Sequence, residues 1–324
     1  MRGARASIHL FMGWHATPAL IAGEGERVQE LAFAPILRFA AFARQTDTTM
    51  RLDEGALLVA EVARPGLQQA RYIQEIDALA AEVWAALGPS ARLLRADQAN
   101  RRETAQRVLE TMTDTLGKRE NFHGADETLA DPRNSFLDEA LQRRQGLPIT
   151  LSIIYLEVAR RLGAPLQGVG LPAHFMVKWP LSAAEGGDLY VDVFNRGVLL
   201  DGPSCERFIL RLLTPQTASA FDPTWTRPLN TRQILTRVLY NLKLVYLHRG
   251  DTTSALDVVD RLVLLRPDLP QELRDRGLLR LAMGESLLAA ADIAAYLERA
   301  PNAPENGRLR RRIEATRELR AKLN

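Results

Sequence analysis

Residues Asn134 to Gly197 read NSFLDEALQRRQGLPITLSIIYLEVARRLGAPLQGVGLPAHFMVKWPLSAAEGGDLYVDVFNRG, and the rest of the chain is built around them. A polar residue at Asn134 is placed to cap one short helix. Gly146-Leu147-Pro148 predicts the start of a second, with proline in the first turn, where its missing N–H removes no helical bond. That helix, Ile149 to Leu162, is apolar on nearly every side (Ile149, Leu151, Ile153, Ile154, Leu156, Val158, Ala159, Leu162), so it is expected to be buried. Gly163 and Pro165 stop it. Three short strand-like runs follow, Leu166–Leu171, His174–Trp179 and Leu189–Phe194, the last two joined by a turn at Gly186-Gly187. The pattern is one buried helix and a small antiparallel sheet. His174 falls on one strand and Asp192 on the next, an arrangement able to carry a catalytic pair.

The motifs PRNSFL (132–137), RRQGLPITLSIIYLEVARRLG (143–163), LPAHFMVKW (171–179) and YVDVFNRG (190–197) resemble the SirB branch of the transglutaminase-like superfamily. The resemblance covers residues 50 to 310. It implies an α+β protein: a transglutaminase-like (papain-like) core with a small antiparallel sheet, a helical N-terminal layer, and C-terminal tetratricopeptide-like helical repeats. In that superfamily a cysteine at the helix start is the nucleophile, and His174 and Asp192 match its two partners. Counted back from Leu162-Gly163, the nucleophile position falls near Pro148, with Thr150 and Ser152 as the nearest hydroxyls and no cysteine. The branch pattern also places glycine before the histidine and proline after the aspartate, where this chain has Ala173 and Val193.

The 324 residues are enough for two domains, and 46% hydrophobic with 25% charged residues is an ordinary globular composition. A net charge of +3 spread over this length does not mark a nucleic-acid binder. The arginines Arg143, Arg144, Arg160, Arg161, Arg308 and Arg310 to Arg312 sit where helices carry solvated charge. Cys205 is the single cysteine, so no intramolecular disulfide is possible and a cytoplasmic, reducing location is expected. It lies in DGPSCERF, a loop entering a helix, and reads as an incidental thiol. No CxxC, HxxxH or HExxH spacing occurs, and no GxxxxGK[ST] or GxGxxG, so neither a metal nor a cofactor is expected.

The expected organisation is residues 1–50 as a poorly defined N-terminal segment, 51–205 as helical layer plus transglutaminase-like core, 206–229 as helix and linker, and 230–324 as helical repeats. Arg2, Arg5 and the run Ile8 to Met12 faintly resemble a signal peptide. The run is short and broken by Gly13, Trp14 and His15, so residues 1–30 are expected to be a disordered or mis-started leader. Leu31–Ala43 predicts a short helix or packing arm, and no apolar stretch is long enough for a membrane span. Asp53 is placed to cap a helix through Val62, and further helices are expected over Leu67–Leu87 and Arg101–Leu116. His123, in a loop, is expected to be solvated or locally hydrogen-bonded. Glu206–Leu213 predicts a short helix and Pro215–Pro228 a linker. Gly250 and Gly284 are 34 residues apart, as are Pro267 and Pro301, Leu247 and Leu281, and Ala255 and Ala289, which is the tetratricopeptide period. Two such units rarely stand alone, so they are expected to lean on the core, with Glu305–Leu323 as a capping helix.

Two functions compete. The favoured one is a non-catalytic regulatory or protein-binding protein, a pseudoenzyme whose repeats hold a protein or peptide partner. His174 and Asp192 are then a self-satisfied buried pair. The alternative is a peptide or amide hydrolase or acyl-transferase in which Asp192 orients His174 and His174 activates Ser152 or Thr150. A Ser152 hydroxyl bonded to a carbonyl one turn back would be structural instead.

Overall fold

The computed structural model describes residues 35–95, 101–125, 131–213 and 220–323; the leader expected over residues 1–30 lies outside them. Helix α1 (residues 35–43) starts at Pro35 and buries Phe39 and Phe42, so the end of the 1–50 segment is a packed element and not poorly defined. Helices α2 (Leu52–Ala60), α3 (Gln69–Leu87) and α4 (Arg102–Met112) complete the N-terminal layer. On α3 the helical period buries Ile76, Leu79, Ala80, Val83 and Leu87 and leaves the residues between them toward solvent. Asp53 does not cap α2. It is the second helical residue and is fully buried, with its carboxylate held by Arg51 and Arg161. The helix expected over 101–116 changes pitch at Thr113, where a π-helical turn runs to Arg119.

Helix α5 (Leu137–Arg143) and helix α6 (Pro148–Leu162) follow. Asn134 does not cap α5 either. It lies in the 3-10 turn Pro132–Ser135, and its Oδ1 accepts from Arg143 Nη1 at 3.1 Å. Helix α6 is buried on nearly all sides, starts at Pro148 and ends at Gly163 with φ +75°, a conformation glycine adopts without strain.

Strands β1 (His123–Gly124) and β2 (Gln145–Gly146) form a two-residue parallel bridge. The main sheet contains β3 (Gln167–Val169), β4 (Met176–Trp179), β5 (Leu189–Asp192), β6 (Val198–Asp201) and β7 (Pro228–Leu229) in the order β6-β5-β4-β3-β7, with every pairing antiparallel. Its alternation sorts side chains onto two faces. Val177, Trp179, Leu189 and Val191 join the core around α6, while Met176 and Tyr190 pack with Cys205 and Ile209 of helix α7 (Gly202–Leu212). Strand β6 was not expected, α7 starts at Gly202 instead of Glu206, and Pro228–Leu229, at the end of the expected linker, is the fifth strand.

The remainder is helical: α8 (Thr231–His248), α9 (Thr252–Leu265), α10 (Pro270–Ala282), α11 (Ser286–Arg299) and α12 (Asn306–Leu323). Gly250 and Gly284 close the two hairpins with φ +70° and +81°, which accounts for the 34-residue recurrence. Helix α8 belongs to both parts of the chain. Its Leu235, Val238, Leu239 and Leu242 share one buried cluster with Phe39, Leu57 and Ile154, while its Lys243 and Tyr240 bond Glu272 of α10. Among the described residues, no helix is long and apolar enough to cross a membrane.

Candidate functional site

His174 lies in the turn between β3 and β4, two residues short of the strand on which it was expected. Ala173 before it has φ +56°, the left-handed region that favours glycine. A non-glycine residue there costs about 1–2 kcal/mol, so the glycine expected from the resemblance would fit this point without strain. Asp192 ends β5. His174 Nε2 and Asp192 Oδ1 are 3.0 Å apart and both side chains are buried. Burial raises the Asp192 pKa, but the hydrogen bonds and charge of His174, with two bonds from Asn195, outweigh it and hold the carboxyl below its ordinary range. Asn195 donates Nδ2–H to Asp192 Oδ2 at 2.7 Å and its backbone N–H to Oδ1 at 3.4 Å. Phe208 and Phe194 flank the imidazole, with ring centroids at 5.3 and 6.1 Å.

The turn after β5 is fixed from below. Gly197 N–H donates to Asp192 O at 2.9 Å, and Thr113 Oγ1, in the π-helical turn, donates to Gly197 O at 3.2 Å. A side chain at Gly117 would run into the Arg196 carbonyl, so glycine is what lets this turn seat against the helix. The pitch change at Thr113 therefore positions Asp192 and Asn195.

A cavity of about 270 Å³ opens beside His174 and has three walls. Leu147, Pro148 and Ile149 supply one, from the start of α6; Ala173, His174 and Phe175 supply the second; Arg237, Asn241, Leu244 and Val245 supply the third, one face of α8. The helix start and His174 thus line one cavity, to which the helix presents only apolar side chains. Thr150 and Ser152 are not among the residues lining the cavity, which counts against the alternative in which His174 activates one of them. Ser152 sits one turn above Pro148, fully buried, and donates its hydroxyl to Pro148 O at 2.8 Å. That is the local back-bond of a structural serine. Thr150 is also fully buried; its Cβ lies on the side of Gly146 and Ala140, and its Oγ1 has no partner among the described residues. Asn195, Arg237 and Asn241 were not singled out by sequence. Asn195 had a signal, its place in the quoted YVDVFNRG motif, whereas Arg237 and Asn241 look like any polar helix positions.

Cys205 is in the first turn of α7, and burial, with the negative charge of Asp192, pushes its thiol up to about 12. The helix N-terminus, which favours thiolate, is outweighed. Cys205 in the native protein is expected to resist iodoacetamide at pH 8 and to react within minutes once urea unfolds the chain, as read by intact mass. His123 bonds locally through Nδ1 to Asn121 O and through Nε2 to Gln145.

Fold and site together define a transglutaminase-like domain, with its histidine and aspartate paired, continued into tetratricopeptide-type helices. The transglutaminase-like superfamily profile matches residues 70–240 and a tetratricopeptide repeat profile residues 242–314. The UPF0162 protein of Xylella fastidiosa (strain 9a5c) is 38% identical over 56% of this chain, and the match spans 64% of that relative, less than two thirds of its length. The UPF0162 protein of Pseudomonas aeruginosa is 30% identical over 67% of this chain and 72% of its own. Protein SirB1 of Salmonella typhimurium is 28% identical over 55% and 64%. No solved structure matches significantly. The chain belongs to the transglutaminase-like superfamily, in its SirB-type branch.

Proposed function

We propose that this chain is a non-catalytic binding or regulatory protein on a transglutaminase-like scaffold, working in the cytoplasm. The observation that carries the proposal is the cavity wall opposite His174. Where a nucleophile would stand there are Leu147, Pro148 and Ile149, while Ser152 is bonded to its own helix and Cys205 is buried behind the sheet. A His-Asp pair with no nucleophile in reach orients an imidazole but starts no acyl transfer. The pair and its Asn195 support then serve to hold the turn that shapes the cavity. The repeats supply the partner surface in this proposal. Leu287 and Leu288 on α11 are 72% and 53% exposed, and Leu244 and Leu247 on α8 are also exposed, consistent with a protein or peptide partner. Nucleic acid is not the partner proposed, because Arg144, Arg160 and Arg161 end on carboxylates within the fold.

The test is covalent labelling with an active-site-directed acylating probe, comparing the native protein with Ser152→Ala, Thr150→Ala and His174→Ala. No labelling that depends on His174 is expected. Labelling abolished by His174→Ala and by one hydroxyl variant, with folding intact by circular dichroism, makes the chain a hydrolase or acyl-transferase instead.

A further inference from the structure

Arg237 projects from α8 into the cavity beside His174. Its Nη2 donates to Leu171 O at 3.2 Å and to His174 O at 3.3 Å, and its guanidinium lies 5.6 Å from the Phe175 ring centroid. Gly170 makes room for it, since a side chain there would meet Nη1. A guanidinium carries five N–H donors, and among the described residues no carboxylate pairs with this one. Other half-buried arginines of the fold are different: Arg64 ends on Asp138, Arg144 on Glu75, Arg161 on Asp53, Arg232 on Asp47 and Arg276 on Asp292. Burial alone also pushes the Arg237 pKa below the ordinary arginine range, the mark of a cation without a counter-charge.

The opposite wall is the first turn of α6, whose amides lack helical partners and whose dipole favours negative charge. Between these two walls the lining is mainly aliphatic. We propose that the cavity binds the free carboxylate of an aliphatic residue, Arg237 taking the carboxylate and the apolar wall the side chain. A guanidinium fork matches a carboxylate in shape and charge. A phosphate carries about two charges, and among the described residues no second arginine or lysine lines the cavity. The carboxylate has two sources, a small aliphatic acid or the last residue of a peptide. Leu244 at the rim is 66% exposed and Leu247, further along α8, is 46% exposed, so a peptide has apolar surface on which to continue.

The proposal rests on reading the site as a binding site, and its test is separable from the labelling test. Titration calorimetry or ligand-observed NMR is run with N-acetyl-leucine against N-acetyl-leucinamide, and with a hexapeptide ending in leucine against its C-terminal amide. The free acids are expected to bind at least about tenfold more tightly than the amides, the worth of one charge-assisted pair. Arg237→Met is expected to abolish that preference and Arg237→Lys to keep part of it. Because Arg237 also ties down the turn at His174, Leu244→Asp gives a second arm at an exposed position: it should weaken both acids and amides by lost apolar contact, and the acids by a several-fold larger factor through charge repulsion. Tighter binding of the peptide acid than of N-acetyl-leucine assigns the source to a peptide, and equal binding to a small acid; either supports the proposal. Acids and amides binding alike, or no binding of either acid up to about 10 mM, overturns it. Acyl-probe labelling would sink the non-catalytic function while leaving an acid-over-amide preference in place, whereas loss of that preference sinks this assignment alone.

Discussion

Arg161→Met is expected to destabilise the fold by about 3–5 kcal/mol, the usual cost of stripping one partner from a buried charge cluster. Arg161 is the hub of that cluster. Its Nη2 donates to Asp53 Oδ2 at 2.8 Å and its Nη1 to Glu157 Oε2 at 2.6 Å, and Asp77 receives its Nε. Asp53 is fully buried and Glu157 nearly so, and without this guanidinium they keep, among the described residues, only the half-exposed Arg51 and Arg160 as cationic partners. Burial raises the Asp53 pKa, but bonds from Arg51 and Arg161 outweigh it and leave the carboxyl well below its ordinary range. Its contribution to stability is therefore present at neutral pH and is lost as pH falls from the ordinary carboxylate value of about 3.9 through the lower folded one. Glu157 has the opposite sign: burial and the neighbouring Asp53 charge raise its pKa, so its share is lost as pH rises through that value. The Arg161→Met deficit in urea unfolding is expected to be largest at pH 7 and to shrink as pH falls below about 4, where Glu157 takes up a proton and the stability supplied by ionised Asp53 is being lost. A deficit under about 1 kcal/mol at pH 7 would mean the cluster is solvated.

Ending the chain after Asn230 is expected to abolish folding of the transglutaminase-like part. Helix α8 gives Ile234, Leu235, Val238, Leu239 and Leu242 to the main core, all buried. At about 1.5–3 kcal/mol for each buried side chain, their loss is as large as the whole net stability of about 5–15 kcal/mol of a typical domain. Gly55 on α2 marks how close the contact is, since a side chain there would collide with Leu235 and Phe42. Circular dichroism and size-exclusion chromatography of the shortened chain check this. A monomeric, cooperatively unfolding product would show that the core is independent of the repeats.

Legibility in the sequence followed how local each signal was. Helix α6 was readable because apolar residues cover every face and Pro148 and Gly163 punctuate its ends. The repeats were readable because each hairpin needs a left-handed residue at its turn, and Gly250 and Gly284 supply it at the repeat period. Strands β6 and β7 were not, being four and two residues long and placed by their pairing with β5 and β3. Asp53 looked like a helix cap because Arg161, which with Arg51 holds its carboxylate, is 108 residues away and leaves no mark beside it. The same distance effect hid Arg237, whose meaning comes from the turn at Leu171 and His174 that α8 reaches across the core. His174 read as a strand residue because its apolar neighbours alternate correctly, while the left-handed Ala173 that turns the chain is an unusual residue for that role.

In the proposed scaffold His174 and the start of α6 line one cavity, and among the described residues that helix start offers no nucleophile. Introducing a thiol by Pro148→Cys tests it most directly, with the alkylation rate by iodoacetamide followed against pH. The introduced thiol is expected to titrate well below the free-cysteine value of about 8.5, and to return near that value when His174→Ala is added. The same titration with and without His174 would contradict the claim, placing the helix start out of reach of the imidazole.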